Sequence, residues 1–574
     1  MTFPNLALFA VFFAVLVLLV RPLGAYMARV FSGQPTLPDR LLRPVENAIY
    51  RTAGADSERD MRWSEYALCF VRFSVIVGVL IYVILRLQSE LPWYEGERLA
   101  TPMTRDLAFN TAVSFATTTT WQAYGGETTM SYLSQIAALT MANFLAGAAG
   151  LAVGIAFIRG FARADAEGIG NFWVDVTRAS LWVLLPIALL GSLFLVWQGV
   201  PANLNEYVVA TTVEGEEQVI AQGPVAVLEF IKNLGTNGGG FFNVNGAHPY
   251  ANPTALTNFA GMLAIVVLPA ALTYTFGRMI GRQREGWLLF GVMALLFVVG
   301  MVATGAFEQA GNDDVAEAAG IETSASSEQA GGNMEGKEVR FGIGNSVLTA
   351  NATSNGATGS FNSMHDSYTP LGNAVPLANM LLGELVFGGL GSGIYSMVMI
   401  VLITLFLAGL MVGRTPEYLG KKLGPEETKR VVLYIVALPA VVLLLTAVAV
   451  VADAGKVGLT LNSGAHGFTQ TLFAYASSAT NNGLTMASLD ANSQFYNLTT
   501  AVAMLAGRFA LAALALAVAG LFAQQARRPP TYATLPTASW TFAGMLLGVI
   551  AIVGGLSYFV ALSLGPIAEH LSGS

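Results

Sequence analysis

Long apolar runs separated by polar segments dominate the chain. Runs near the roughly 20 residues that cross a bilayer fall at 3–20, 64–85, 132–158, 179–199, 257–277, 286–306, 374–413, 431–452, 498–523 and 538–563. The pattern predicts ten membrane helices. The seventh run is too long for one span and carries GGLGSG at 388–393 in its middle. Glycines weaken a helix, and backbone freed inside a membrane must face protein or water. A break or loop is therefore expected there. The first run lacks the basic residues that precede the apolar core of a secretory leader, and its arginines follow it, so a retained first helix is expected.

Composition narrows the class. The chain is 54% hydrophobic and 11% charged over 574 residues, against about 25% charged in soluble domains. An ordinary soluble α/β enzyme would need many alternating polar faces that these runs lack. A lone cysteine, Cys69, excludes an intramolecular disulfide framework and a Cys-rich metal site. His248, His365, His466 and His570 form no HExxH or comparable cluster, and solvated loop histidines are the expectation.

Charge then orients the spans. Arg21, Arg29, Arg40, Arg43, Arg51, Arg59 and Arg62 follow the first run; Arg159, Arg163 and Arg178 follow the third; Arg278, Arg282 and Arg284 follow the fifth. Arg414, Lys421, Lys422, Lys429 and Arg430 follow the seventh, and Arg527 and Arg528 the ninth. The intervening loops hold few basic residues, and 308–338 is acidic and rich in Gly, Ala and Ser. By the positive-inside rule, both termini face outward.

Those outward loops share a pattern. FATTTTWQAYGG (115–126), NLGTNGGGFFN (233–243), TANATSNGATGSF (349–361) and AYASSATNNGLTM (474–486) each lead small hydroxyl or amide residues to Gln122, Gly238, Gly356 and Gly483. Turn residues alone would explain any one of them. Four in register, each between two spans, predict a repeated helix–loop–helix unit. The segments PVAVLEFIKNL (224–234) and GFTQTLFAYASSA (467–479) are apolar but too short to span, as re-entrant helices would be. A bare cation needs oxygens on every side, which backbone carbonyls can supply. Glycine permits the backbone turns that aim them. The aligned positions hold no carboxylate, which argues against a tight divalent site. Phosphate binding by GTNGGG is disfavoured, because no GxxxxGK[ST] or following lysine accompanies it.

Together with TTTTWQAYGGE, LGTNGGGFFN, ATSNGATGSF, TNNGLTMA, the extra first and tenth helices and RTPEYLGKKL (414–423), the chain resembles the potassium-binding A subunits of Kdp-type potassium-transporting ATPases. These belong to the superfamily of potassium transporters. The resemblance implies an all-α polytopic membrane protein with ten transmembrane helices, including four pseudo-symmetric membrane–pore-loop–membrane repeats around a central filter. The parts would be a first helix and loop (1–63), repeats at 64–158, 179–277, 286–413 and 431–523, a coupling segment at 414–430, and a last helix (538–563). The resemblance also implies K+ as transported ligand and no cofactor in this chain. Implied partners are a catalytic P-type ATPase subunit, a single-span accessory subunit, a small membrane peptide and membrane lipid, with no nucleic acid. The place would be the bacterial inner membrane. The chain has no Walker motif and no DKTGT signature, so ATP hydrolysis would belong to the partner.

Carried over by resemblance, the filter would comprise Thr119, Thr120, Trp121 and Gln122, then Gly235, Thr236, Asn237 and Gly238, then Thr353, Ser354, Asn355 and Gly356, and finally Thr480, Asn481, Asn482 and Gly483. The hydroxyls of Thr236 and Ser354 would assist the carbonyls, and the Gln122 amide would make the ring asymmetric. A gate would comprise Gly388, Gly389, Gly391 and Gly393, with Arg508 repelling cations or pairing with Glu384. A charge so deep in a span is costly and reads as functional. The alternatives are a self-sufficient channel or cation symporter of the same superfamily and, more remotely, a receptor-like membrane protein.

Overall fold

The fold, a computed structural model, describes residues 3–572 apart from 95–98, 100, 312–319, 321, 323, 327–328, 330, 414–415 and 530–533. Part of the 308–338 insert and Arg414 of the coupling segment therefore lie outside the described residues. Among the described residues, ten helices are long and apolar enough to cross a membrane: Pro4–Phe31, Trp63–Glu90, Ser134–Ala162, Phe172–Trp197, Ala255–Met279, Gln283–Ala310, Ser392–Met411, Pro425–Val451, Gln494–Gln524 and Trp540–Leu564. In an apolar solvent a helix satisfies its own backbone groups, which is why such runs take this form.

The seventh run is divided, as its glycines predict. A helix at Pro370–Leu381 stops, residues 382–391 run without helix, and Ser392–Val412 resumes. The break starts earlier than GGLGSG suggests, and Gly393 already belongs to the second helix. Gly383, Glu384, Phe387 and Gly391 all take positive φ (77°, 57°, 45° and 94°), so the chain turns repeatedly rather than merely kinking.

Burial arranges the spans. Ser134–Ala162 is largely enclosed by protein, whereas the first and tenth spans expose most of their surface. The enclosed span is rich in Gly and Ala (MANFLAGAAGLAVGIAF), and small side chains let other backbones approach closely. Three spans contain wide turns of the π type, at Ser134–Thr140, Ala179–Leu184 and Ala506–Ala510. At the arginine-rich end of the bundle, Arg159 meets buried Asp175 at 2.8 Å, and Tyr66 Oη donates to the same carboxylate at 2.9 Å. That knot ties the second, third and fourth spans.

Four shorter helices, Arg105–Ala116, Val225–Leu234, Gly342–Asn355 and Gly464–Ala479, lie between successive spans and do not cross. Thr104 caps the first by accepting from Leu107 N at 3.4 Å. Among the described residues there are also two antiparallel hairpins, Val208–Thr211 with Glu217–Ile220, and Glu417–Tyr418 with Lys421–Lys422. Lys421 Nζ donates to the Gly160 and Phe161 carbonyls at 3.3 and 3.4 Å. It thereby caps the C-terminal end of the third span, where a cation is favoured.

Candidate functional site

Each short helix ends in a loop with the same backbone signature. After the capping residues Thr117, Gly235, Gly356 and Thr480, the next positions, Thr118, Thr236, Ala357 and Asn481, take φ of 68°, 50°, 48° and 56°. Two residues further on, Thr120, Gly238, Gly359 and Gly483 again take positive φ, at 49°, 86°, 70° and 93°. Left-handed conformations are rare for residues other than glycine, and rarer for β-branched ones. Their recurrence at matched positions in four loops marks one structural unit used four times.

The loop amides fold back on their own helices. Asn237, Thr358 and Asn482 N–H donate to the carbonyls of Lys232, Thr353 and Ser477 at 2.9, 3.2 and 2.9 Å, and Thr120 N–H donates to Ser114 O at 3.1 Å. The loops then close on one another. A Cβ on Gly238 would overlap the Thr358 carbonyl oxygen, one on Gly359 the Asn482 oxygen, and one on Gly483 the Thr119 oxygen. In the first loop Thr120 fills the matching place, and its hydroxyl donates to Asn237 O. A cyclic order of loops one, two, three and four follows. Thr119, Asn237, Thr358 and Asn482 supply the carbonyls at the joints.

This geometry moves part of the expected alignment. Gly238 and Gly483 stand in matched positions, but Gln122 lies two residues past Thr120. Its Oε1 accepts from Gly240 N at 2.8 Å and its Nε2 donates to Gly240 O at 3.2 Å, so it clamps loop one to loop two beyond the Gly238 level. Trp121 is buried beside it. Gly356 is the helix cap, and Gly359 is the counterpart of Gly238; Thr353, Ser354 and Asn355 form the last helical turn. Ser354 Oγ donates to Ala350 O at 2.6 Å, so its hydroxyl serves its own helix. Thr117, Thr118, Ala357, Thr358 and Gly359, outside the expected set, occupy the matched positions of loops one and three. Loop one has no glycine at the matched place and loop three has two, so no single glycine fixes the register by itself.

Behind loop two sits a buried charge pair. Lys232 Nζ lies 2.6 Å from Glu229 Oε2 and also donates to Asn245 Oδ1. Asn245 Nδ2 donates to Gly239 O at 2.9 Å. The pair thus reaches loop two through one amide. Among the described residues, no group of three or more His, Cys, Asp or Glu could hold a metal ion.

Beneath the loops, a cavity of about 200 Å³ is lined by Thr118, Gly235, Thr236, Glu384, Leu390 and Arg508. Helix C-terminal ends at Gly235 and Gly356 converge near it, and their partial negative charge favours a cation. Gly389 and Leu390 of the segment 388–391 form its floor. Gly389 lies against Ala357, Gly391 packs on Gly150, and Gly388 meets the first turn of the next helix at Gly393. Leu390 N donates to Thr236 Oγ1 at 2.8 Å. Arg508 stands in the π turn of the ninth span and donates to Ala146 O at 3.3 Å. The structure does not pair Arg508 with Glu384; the Ser392 hydroxyl donates to that carboxylate instead. Both charges nevertheless line the same space.

A second cavity of about 290 Å³ shares Glu384, Ser392 and Arg508 with the first and is lined by Tyr434 and Leu511. A third, of about 550 Å³, shares Gly383, Ser396 and Tyr434 with the second and reaches Gly554 and Tyr558 of the tenth span.

Residues 10–571 match the family model described as potassium-transporting ATPase A subunit. A protein of Rhodopseudomonas palustris named potassium-transporting ATPase potassium-binding subunit is 51% identical over 572 residues, covering 100% of this chain and 99% of the relative. A protein of the same name from Methylorubrum extorquens is 50% identical over 565 residues, covering 98% and 97%. Among solved structures, the potassium transporter TrkH of Vibrio parahaemolyticus aligns with a TM-score of 0.51 at 13% identity, over 87% of this chain and 96% of TrkH. That likeness concerns the fold alone.

Proposed function

The chain belongs to the family of potassium-transporting ATPase A subunits, and from that premise we propose that it is the potassium-binding, channel-like subunit of a multi-subunit, ATP-driven potassium pump. As a multi-pass membrane protein it takes K+ at the ring of four loops and passes it toward a separate P-type ATPase subunit. The observation that carries the reading is the closed ring, in which carbonyls of Thr119, Asn237, Thr358 and Asn482 meet the neighbouring loops. Neutral oxygens in a dry, fixed frame can replace the hydration shell of a monovalent cation.

The floor at 388–391 and the three successive cavities support a sideways exit. An ion below the filter meets the glycine loop and the Arg508 guanidinium. Cavities that share lining residues instead succeed one another past Ser392 and Tyr434 toward the tenth span. Arg508 stands where a cation passing straight down would approach it, and like charges in a poorly solvated space repel strongly. Glu384 offers an oxygen at the turn. The basic segments favour an arginine-rich end on the inside, and this supports a reading in which both termini and the ring face outward from the bacterial inner membrane. The single-span subunit and the small membrane peptide complete the assembly.

Purification of the chain from a native host, followed by flux in vesicles, tests this. The reading requires a P-type ATPase subunit to copurify and K+ uptake to need ATP. Rapid ATP-independent K+ flux through the chain alone would favour the self-sufficient channel.

A further inference from the structure

The helix Asp39–Ala53, between the first and second spans, has three distinct faces. One packs on protein: Glu46 accepts from Tyr50 Oη at 2.7 Å, from Arg178 Nε at 2.8 Å and from Trp182 Nε1 at 3.0 Å. A second face is apolar and uncovered. Leu41 is 73% exposed, Val45 44% and Ile49 38%, and Leu37 just ahead of the helix is fully exposed. Spaced four apart, these side chains line one side of the helix. The third face is basic, with Arg40, Arg43 and Arg51 all exposed. The acid among them, Asp39, is already engaged by Thr36 at 2.6 Å and Arg43 at 3.6 Å.

The packed face fixes the depth of the other two. Tyr26, near the end of the first span, donates to Trp182 O at 2.8 Å, and Arg178 and Trp182 open the fourth span. The apolar stripe is thus held where two spans leave the membrane. The first span likewise exposes apolar side chains, Val11, Val17 and Leu18. An apolar arc bordered by arginines at that level matches a leaflet with negatively charged headgroups. We propose that the Asp39–Ala53 helix lies in the membrane interface, with Leu37, Leu41, Val45 and Ile49 among acyl chains and Arg40, Arg43 and Arg51 on anionic lipid headgroups.

The sole cysteine, Cys69, makes the test simple. In a Cys69→Ser background, nitroxides are attached at Leu41→Cys and at Asn47→Cys, on the polar side. The full chain is placed in vesicles of phosphatidylethanolamine with phosphatidylglycerol, and collision with oxygen and with a water-soluble nickel chelate is measured. The expected result is several-fold greater access to oxygen than to nickel at position 41, with the reverse at position 47. Replacing phosphatidylglycerol with phosphatidylcholine, or Arg40, Arg43 and Arg51 together with Gln, should reduce the contrast at position 41. Preferential nickel access there would overturn the proposal by placing the stripe in water. Exclusion of both reagents would overturn it by showing a protein cover. A contrast unchanged by either replacement would overturn the role given to the arginines.

Discussion

The amide of Leu390 donates to the hydroxyl of Thr236 at 2.8 Å. One residue belongs to the ring of four loops and the other to the glycine-rich segment 388–391, so the two are hydrogen-bonded directly. Thr236 holds a left-handed conformation, φ 50°, and its hydroxyl also donates to Gly235 O at 2.8 Å. The strain is maintained by contacts at both ends of one side-chain oxygen.

Replacing Thr236 with Val removes that oxygen while keeping the shape. A buried N–H left without a partner costs about 1–3 kcal/mol. Thermal unfolding of the purified complex should show the loss in Thr236→Val, and Thr236→Ser should retain most of the stability. Equal melting of all three proteins would contradict the link between ring and floor.

Gly238 and Gly359 should respond alike to a methyl group. Each takes positive φ, and each would place a Cβ against the carbonyl of the next loop. The backbone term alone is about 1–2 kcal/mol, and the displaced carbonyl adds to it. K+-stimulated ATP hydrolysis by the assembled complex, measured with K+ and Na+ in competition, should lose selectivity in Gly238→Ala and in Gly359→Ala. Gly544→Ala, with open space around it, should match the parent.

Much of this was legible in the sequence, for identifiable reasons. Ten apolar runs announced ten spans because bilayer thickness sets helix length. The four polar loops stood out because one pattern of Thr, Asn and Gly recurs in each of them, not because such residues are unusual in a loop. Their register did not stand out. It is set by where each short helix ends, and a helix can end equally at Gly356 or at Thr117. Equivalence of Thr120 with three glycines shows only in φ. The absence of an Arg508–Glu384 pair was likewise hidden, because it depends on a π turn and on Ser392 arriving from the far side of the loop.

The Glu229–Lys232 pair makes a third prediction. Glu229→Gln leaves an ammonium buried without its counter-charge, a change that typically costs about 3–5 kcal/mol. Glu229→Gln with Lys232→Met should recover much of that loss, because the unpaired charge is gone. A double-mutant cycle in thermal unfolding measures the coupling, and additive effects would contradict it.

A pH dependence follows from His466, which sits between Glu569 at 2.7 Å and Asp366 at 3.1 Å, outside the spans. Burial opposes its charge, but hydrogen bonds to Asp366 and Glu569 outweigh this and raise it from 6.5 to about 9. A raised value means the contribution to stability is complete below about 6.5 and is lost as pH climbs through about 9. The parent should therefore melt above His466→Asn at pH 6, and the gap should close by pH 10. A constant gap across that range would contradict the ion-pair assignment.

The position of the transported ion tests the account most directly. Crystals of the assembled complex grown with thallium in place of potassium would locate it by anomalous scattering. The account predicts a peak inside the ring, surrounded by the carbonyl oxygens of Thr119, Asn237, Thr358 and Asn482. A peak centred instead on Gln122 and Gly356, or no peak within the four loops, would contradict it.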